Sequence, residues 1–429
     1  MATVHIIGAG LAGLSCAVAL GRAGLPVRLY EAAPQAGGRC RSYHDSALDH
    51  VIDNGNHLLL AANRATIAFL ETIGAADRLT GPARAVIPFL DLETLTPWSI
   101  DFGSGRLPWW ILQPSRRVPG TGILDYLALG AILRPSGAAR LGERIPLRGA
   151  VFDRFLEPMI VAVMNEAPQH AAVAPFAAVL RETLLAGGAA CRPLVARESL
   201  AETFIEPALA FLRRCGAEIR FGQRARAFAP EGDRIRCIHF TAETVTLADD
   251  DRLVLAVPPA VAQDLVPGLV VPRGDSPIVN LHFRTRTTGL DRWFGDAPLL
   301  GLVNGVAQWV FRRDGLLSVT VSAAEAMIDE PTPILAALVW EDLARAFGLS
   351  SRPLPPYRVV KEKRATFRQT PENEQRRPPA QTAFTNLLLA GDWTATGLPA
   401  TIEGAVRSGN TAAAAVLRGQ RVVVPSAAA

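Results

Sequence analysis

The chain has 429 residues, enough for two or three domains rather than one compact core. Hydrophobic residues make up 49% and charged residues 20%, which argues against disorder away from the termini. A net charge of +4 is too small to point to nucleic acid, and no apolar run approaches the ~20 residues of a membrane span.

The N-terminus reads directly into secondary structure, without the basic and apolar regions of a signal peptide. Thr3 to Ile7 is a short apolar strand, Gly8 to Gly13 a glycine turn, Ala12 to Arg22 a helix and Pro26 to Glu31 a second strand. This is a βαβ unit. Leu58 to Ile73 reads as helix, Pro82 to Pro119 as a stretch crowded with prolines and tryptophans, and Gly122 to Leu133 as an apolar helix. A further helix over Glu198 to Cys215 leads into the strand–turn–strand "GAEIRFGQRARAF". Asp251 to Val261 is a buried strand closed by two prolines, and Val279 to Phe283 and Leu317 to Val321 are strands. Thr332 to Phe347 is a helix, Val359 to Phe367 a strand, and Thr370 to Gln381 a polar loop. Asn386 to Gly409 is a buried strand, a Gly-Asp turn, a loop and a small-residue helix, and the last residues form a tail.

Gly8-x-Gly10-x-x-Gly13 lies between a strand and a helix, the context a dinucleotide fingerprint requires. Gly8 permits the tight turn, Gly10 lets a pyrophosphate approach the backbone, and Gly13 lets the helix sit close to the strand. Free N–H groups at the helix start favour phosphate. Glu31, at the end of the second strand, can accept hydrogen bonds from ribose hydroxyls. "GGRCRS" follows at Gly37, where Arg39 offers a cationic fork to phosphate or to a ring edge. "DNGNH", from Asp53 to His57, is a polar turn whose Gly55 allows close approach.

These stretches, with the C-terminal "AGDW…EGAVRSG", resemble the phytoene desaturase and flavin amine oxidase superfamily. The resemblance implies an α/β fold: a Rossmann-like FAD-binding domain of the GR2 type with a discontinuous α+β substrate domain. The FAD-binding domain would take 1–75, 200–262 and 384–420, the substrate domain 76–199 and 263–383, and 421–429 would be tail. Carried over by position, the cofactor would meet Gly8, Gly10, Ala12, Gly13, Glu31, Ala32, Gly38 and Arg39. Gly55, Asn56 and His57 would lie beside the isoalloxazine, and Ala225 would clamp the adenine. Gly391 and Asp392 would hold the pyrophosphate or ribityl region, and Thr401 and Ile402 the flavin pyrimidine edge.

Amine oxidases of the superfamily flank the flavin with aromatic rings and use a lysine. Here Leu398, Pro399 and Ala400 stand in that loop, and no lysine lies between Pro258 and Pro356; Lys361 and Lys363 are the only two in the chain. No cysteine follows Cys237, so the FAD is expected to be non-covalent. The five scattered cysteines contain no CxxC pair, which argues against a metal site and suits a reducing cytoplasm.

An aliphatic pocket suits an isoprenoid. The run from Lys361 to Gly409 resembles the bacterial hydroxysqualene dehydroxylases. That resemblance implies reductive dehydroxylation of hydroxysqualene to squalene, on the way to hopanoids, with hydride passing from flavin N5 to an allylic cation. A carotenoid-type desaturase of the same fold, a flavin amine oxidase and a non-catalytic flavoprotein are the alternatives. His57 is the candidate acid or polar contact, with hydrogen bonding to the cofactor as its plainer role. Asn165, Leu398 and Pro399 are candidate substrate contacts, and Glu166 is a weaker candidate acid. Trp109, Trp110, Arg116 and Arg117 in "LPWWILQPSRR" suit peripheral contact with the inner face of a membrane. Nothing marks a nicotinamide-binding unit, so the electron donor stays open.

Overall fold

The computed structural model describes residues 2–134, 137–313 and 315–421. Beyond Arg421 the expected tail lies outside them. Among the described residues, no helix is long and apolar enough to cross a membrane.

A five-stranded parallel sheet joins the two ends of the chain. Strand Val4–Ile7 lies at its centre, between Val27–Tyr30 and Arg252–Leu255. Glu218–Arg220 closes one edge and Leu387–Leu389 the other. Val4–Ile7 and residues 253–255, inside the sheet, are buried on both faces, which is why they read as nearly unbroken apolar stretches rather than alternating ones. The helices that follow the outer turns, Leu11–Arg22 and Ile402–Arg421, pack against each other. Their contact needs small residues. A Cβ on Gly409 would stand 2.2 Å from the Ala12 carbonyl oxygen, and Ser15 Oγ donates to the Val406 carbonyl at 3.2 Å. The two strand–turn–helix ends therefore rise from the same end of one sheet, a single strand apart.

A second, seven-stranded mixed sheet runs Tyr357–Phe367, Asp275–Arg284, Leu316–Val321, Trp309–Arg313, Leu299–Val303, Val86–Asp91, Pro97–Asp101. Its last two strands come from the proline- and tryptophan-rich stretch, where no strand was expected. Helix Thr332–Phe347 covers one face and buries Leu335, Val339, Trp340 and Leu343. A helical layer holding Glu157–Met164 and Val173–Glu182 packs elsewhere against the same sheet.

Three expected elements are shorter than their patterns. The helix at Leu58 begins only at Arg64, because Leu59–Leu60 pairs with Pro193–Leu194 as strand. Over Glu198–Cys215 a wide π turn, Ala201–Ile205, precedes the α-helix Glu206–Arg214. Pro207 supplies no N–H, so the ladder is interrupted there. In Gly122–Leu133 only Leu127–Leu133 is α-helical.

Candidate functional site

At the N-terminal turn the three glycines do different things. Gly8 has φ +105°, and a Cβ there would meet the Ala256 carbonyl oxygen at 2.3 Å. A Cβ on Gly13 would fall 1.9 Å from the Gly8 carbonyl oxygen. Both are closed against the protein. Gly10 faces open space, with nothing within 4 Å of its would-be Cβ. Helix Leu11–Arg22 starts there with no side-chain cap and no acidic residue in its first turn. An anion is what such an end accepts.

Glu31 is tied into this rim. One carboxylate oxygen accepts the Ala9 N–H and the other the Ala33 N–H, each at 2.8 Å. Each oxygen keeps a lone pair for a further donor. Ala32 lies between those contacts. The Gln223 N–H donates to the Glu31 carbonyl at 2.8 Å, which brings Ala225 alongside, at the start of strand Ala225–Glu231. The Gly37–Arg39 turn closes over the glycine loop: the Gly37 N–H donates to the Ala9 carbonyl, and a Cβ on Gly38 would lie 3.6 Å from Gly10 Cα.

Arg39 crosses to the other end of the chain. Its guanidinium donates to Asp392 at 2.8 Å and to the Ala365 carbonyl at 2.6 Å. The Asp392 side chain is almost wholly buried, and its charge raises the Arg39 pKa further. Motifs more than 350 residues apart in the chain thus touch each other directly. Gly391 turns at φ +152°, and its N–H donates to Ser408 Oγ at 2.8 Å. A Cβ on Gly391 would strike the Trp393 indole at 2.3 Å, and that indole is locked by its N–H bond to the Val257 carbonyl. Thr401 opens the last helix, its hydroxyl accepting the Gly404 N–H, and Ile402 is the first helical residue.

Gly55 and Asn56 rest on the second sheet. Asn280 Oδ1 accepts the Asn56 N–H, and the Asn56 side chain donates to Thr320 Oγ1 at 3.1 Å. The preceding Asp53 is buried, paired with Arg313 at 2.6 Å, and it accepts from Ser42 Oγ and the Leu200 N–H. His57 follows with no hydrogen-bond partner among the described residues. Burial lowers its pKa to about 4, with Asp53 opposing the shift and Arg39 adding to it. The ring is therefore neutral at pH 7.

Three expectations need correction. The Asn165 amide is engaged by the protein itself. It ends helix Glu157–Met164 in a left-handed conformation, donates to the Ser276 carbonyl and Thr366 Oγ1, and accepts from the Ala323 N–H. Glu166 is equally committed, bridged to Arg368 through two bonds of 2.5 and 2.6 Å. Trp110 is not at the surface. It is buried with Phe102, Tyr126 and Phe155, whereas Trp109 beside it is exposed. Arg116 and Arg117 also have internal partners, Asp101 and the Ile111 carbonyl. Leu398 and Pro399 are both buried.

Sequence reading missed Arg377 and Glu403. Arg377 is a fully buried guanidinium that donates to the carbonyls of Asp392, Thr394 and Leu398 and to Thr396 Oγ1. It holds the whole loop between Asp392 and Leu398. The sequence shows it only as one arginine in "NEQRRPPAQ". Glu403 accepts the Ala65 and Thr66 N–H groups and so caps helix Arg64–Ile73 from the opposite end of the chain.

The arrangement has an open-sided glycine turn, two helix starts, a carboxylate at the end of the neighbouring strand and a cation between the two ends of the chain. It suits an elongated dinucleotide. The flavin containing amine oxidoreductase family matches residues 11–417. The chain belongs to that family. It is an FAD-dependent oxidoreductase. Hydroxysqualene dehydroxylases from Sinorhizobium fredii and Rhodopseudomonas palustris are each 46% identical to it; these matches cover 96% and 98% of this chain and 97% and 99% of theirs. A 15-cis-phytoene desaturase from Synechococcus elongatus is 22% identical over 97% of this chain and 96% of its own. Among solved structures, the cyclohexylamine oxidase of Brevibacterium oxydans superposes with a TM-score of 0.71, at 15% identity, over 98% of this chain and 99% of that one. That likeness speaks for the fold.

Proposed function

We propose that this enzyme reduces hydroxysqualene to squalene. The similarity to hydroxysqualene dehydroxylases along nearly the whole chain carries the reading. In the reaction the C–O bond breaks with its electron pair, the oxygen takes up a proton and leaves as water, and the carbon accepts a hydride. Reduced FAD, when bound, supplies that hydride. Gly8, Gly10, Ala12, Gly13, Glu31, Ala32 and Gly38 would hold the ADP half, with Ala225 at the adenine. Arg39, Gly391 and Asp392 would meet the pyrophosphate and ribityl region, and Gly55, Asn56, His57, Thr401 and Ile402 the flavin.

The division of the sheets supports the domain boundaries. All five strands of the parallel sheet fall within 1–75, 200–262 and 384–420, and all seven of the mixed sheet within 76–199 and 263–383. The five cysteines form no disulfide with one another. Cys40, beside Arg39, is kept a thiol by burial, which pushes its pKa up to about 12. An amine-oxidising site is disfavoured by its wall and its lysines. Leu398 and Pro399 put aliphatic rather than aromatic side chains in that loop, Lys363 pairs with Asp329 at 2.8 Å, and Lys361 bonds the Glu330 carbonyl. The desaturase reading has the weaker likeness behind it.

Under anaerobic conditions, enzyme with chemically reduced FAD should convert hydroxysqualene to squalene, measured by gas chromatography with mass detection. Desaturation of phytoene with hydroxysqualene left intact would replace this reading with the desaturase.

His57 is assigned as a neutral polar contact. With a pKa of about 4, only about one ring in a thousand carries a proton at pH 7. The kcat/KM profile of the wild type should therefore be flat through pH 6.5, and His57→Gln should stay within about tenfold of it. An inflection near pH 6.5 that disappears in His57→Gln would make the imidazolium the acid instead.

A further inference from the structure

The helical layer carries an exposed apolar face. Leu124, Leu127, Trp109 and Leu107 are 75%, 67%, 62% and 58% exposed, and Leu112 and Ile123 are about half exposed. They come from two arms, 107–112 and 123–127, that are fixed to each other. Buried Trp110 on one arm packs edge-on against Tyr126 on the other at 5.4 Å. The Tyr126 hydroxyl accepts the Val118 N–H at 3.0 Å and so braces the connecting turn. The apolar face is thus a rigid feature of the fold, and such a concentration is rare on a surface that meets only water.

Charge identifies the occupant. Residues 105–134 contain four arginines, Arg106, Arg116, Arg117 and Arg134, against a single carboxylate, Asp125; Arg116 pairs with Asp101 from outside this stretch and Arg117 bonds the Ile111 carbonyl, which leaves Arg106 and Arg134. Asp125 is engaged with the Gly122 N–H, and Arg106 and Arg134 have no partner among the described residues. An exposed tryptophan and leucines rimmed by arginine match a bilayer whose headgroups are anionic.

The same apolar cluster runs inward. Its core holds Trp110, Tyr126, Phe155, Ile160 and Met164, and Leu58, the residue after His57, packs against it.

We propose that this face seats the enzyme on an anionic lipid bilayer, and that the apolar substrate enters from the membrane along this cluster. The entry route rests on the isoprenoid reading above. The docking itself does not, so the two can fail separately.

Vesicle sedimentation of the full-length FAD-loaded protein tests the docking. The wild type should sediment with phosphatidylcholine vesicles containing phosphatidylglycerol and more weakly with phosphatidylcholine alone. Leu124→Asp/Leu127→Asp should lose about tenfold in partitioning for each leucine, about a hundredfold together, with unchanged thermal unfolding. Trp109→Ala gives a second, milder variant should the double one misfold. Turnover of detergent-dispersed substrate should be unaffected, while turnover of vesicle-borne substrate falls with vesicle binding. Wild-type protein that stays in the supernatant, or variants that bind as well as it does, would overturn the docking. So would a dimer in sedimentation equilibrium that the same substitutions dissociate, since the face would then be a contact between copies. Vesicle binding without any effect on vesicle-borne turnover would overturn the entry route alone.

Discussion

Glu31→Ala should lose FAD affinity by at least a hundredfold. The carboxylate stands at the C-terminal end of the second parallel strand, with one oxygen holding the Ala9 N–H of the glycine turn and the other the Ala33 N–H. Each oxygen keeps a lone pair, which the two ribose hydroxyls would fill. Charge-assisted hydrogen bonds of this kind contribute about 1.5–3 kcal/mol each, so two lost together account for the fall. Fluorescence titration of the apoprotein with FAD reads the affinity, and thermal unfolding of the same apoprotein reads the scaffold. Glu31→Gln should lie between the wild type and alanine, since it keeps one acceptor and loses the charge. The ribose role is wrong if Glu31→Ala binds FAD normally while its apoprotein melts early. Glu31 would then be a strut of the turn and nothing more.

Arg377→Ala should destabilise the protein by about 3–5 kcal/mol, the range for removing one partner of a buried ion pair. Its guanidinium bonds both Glu374 oxygens, at 3.0 and 3.1 Å, besides three carbonyls and a hydroxyl of the loop after Asp392. Burial already raises the Glu374 pKa, and the arginine opposes that shift. Without the arginine, Glu374 must take up a proton or stay buried as an uncompensated charge. Lysine should not rescue, because a single ammonium cannot reach acceptors spread around a planar fork. Arg377→Ala/Glu374→Gln should recover part of the loss, and urea unfolding of the two variants measures how much. A double variant no more stable than Arg377→Ala would assign the cost to the loop carbonyls. Unfolding within about 1 kcal/mol of wild type would remove Arg377 from the account. Flavin affinity should fall with it, since the same loop delivers Gly391–Asp392 at one end and the start of the last helix at the other.

Arg39 and Asp392 show why the two ends of the chain look alike. Each is a strand, a tight turn and a helix because each ends in the same parallel sheet, separated there by a single strand, Arg252–Leu255. The ion pair then ties the C-terminal turn to the Gly37–Arg39 turn, which in turn bonds the N-terminal glycine loop through the Gly37 N–H and the Ala9 carbonyl.

Much of this was legible locally. A glycine spacing, an apolar strand and a carboxylate at its end depend on residues within about thirty positions of each other, so the sequence alone determined the dinucleotide fold, and the resemblance of its motifs pointed to flavin. What it left undecided depends on partners far away in the chain. Trp109 and Trp110 are neighbours of identical chemistry, yet Phe102, Tyr126 and Phe155 bury one and leave the other exposed. Asn165 in a polar break reads as a ligand until Ser276, Ala323 and Thr366 are seen to occupy its amide. Arg377 is one arginine among 42 until the fold buries it against the loop it organises. A side chain's type is written in the sequence, but its solvation and its hydrogen-bond partners are set by packing, and for polar groups those decide the role.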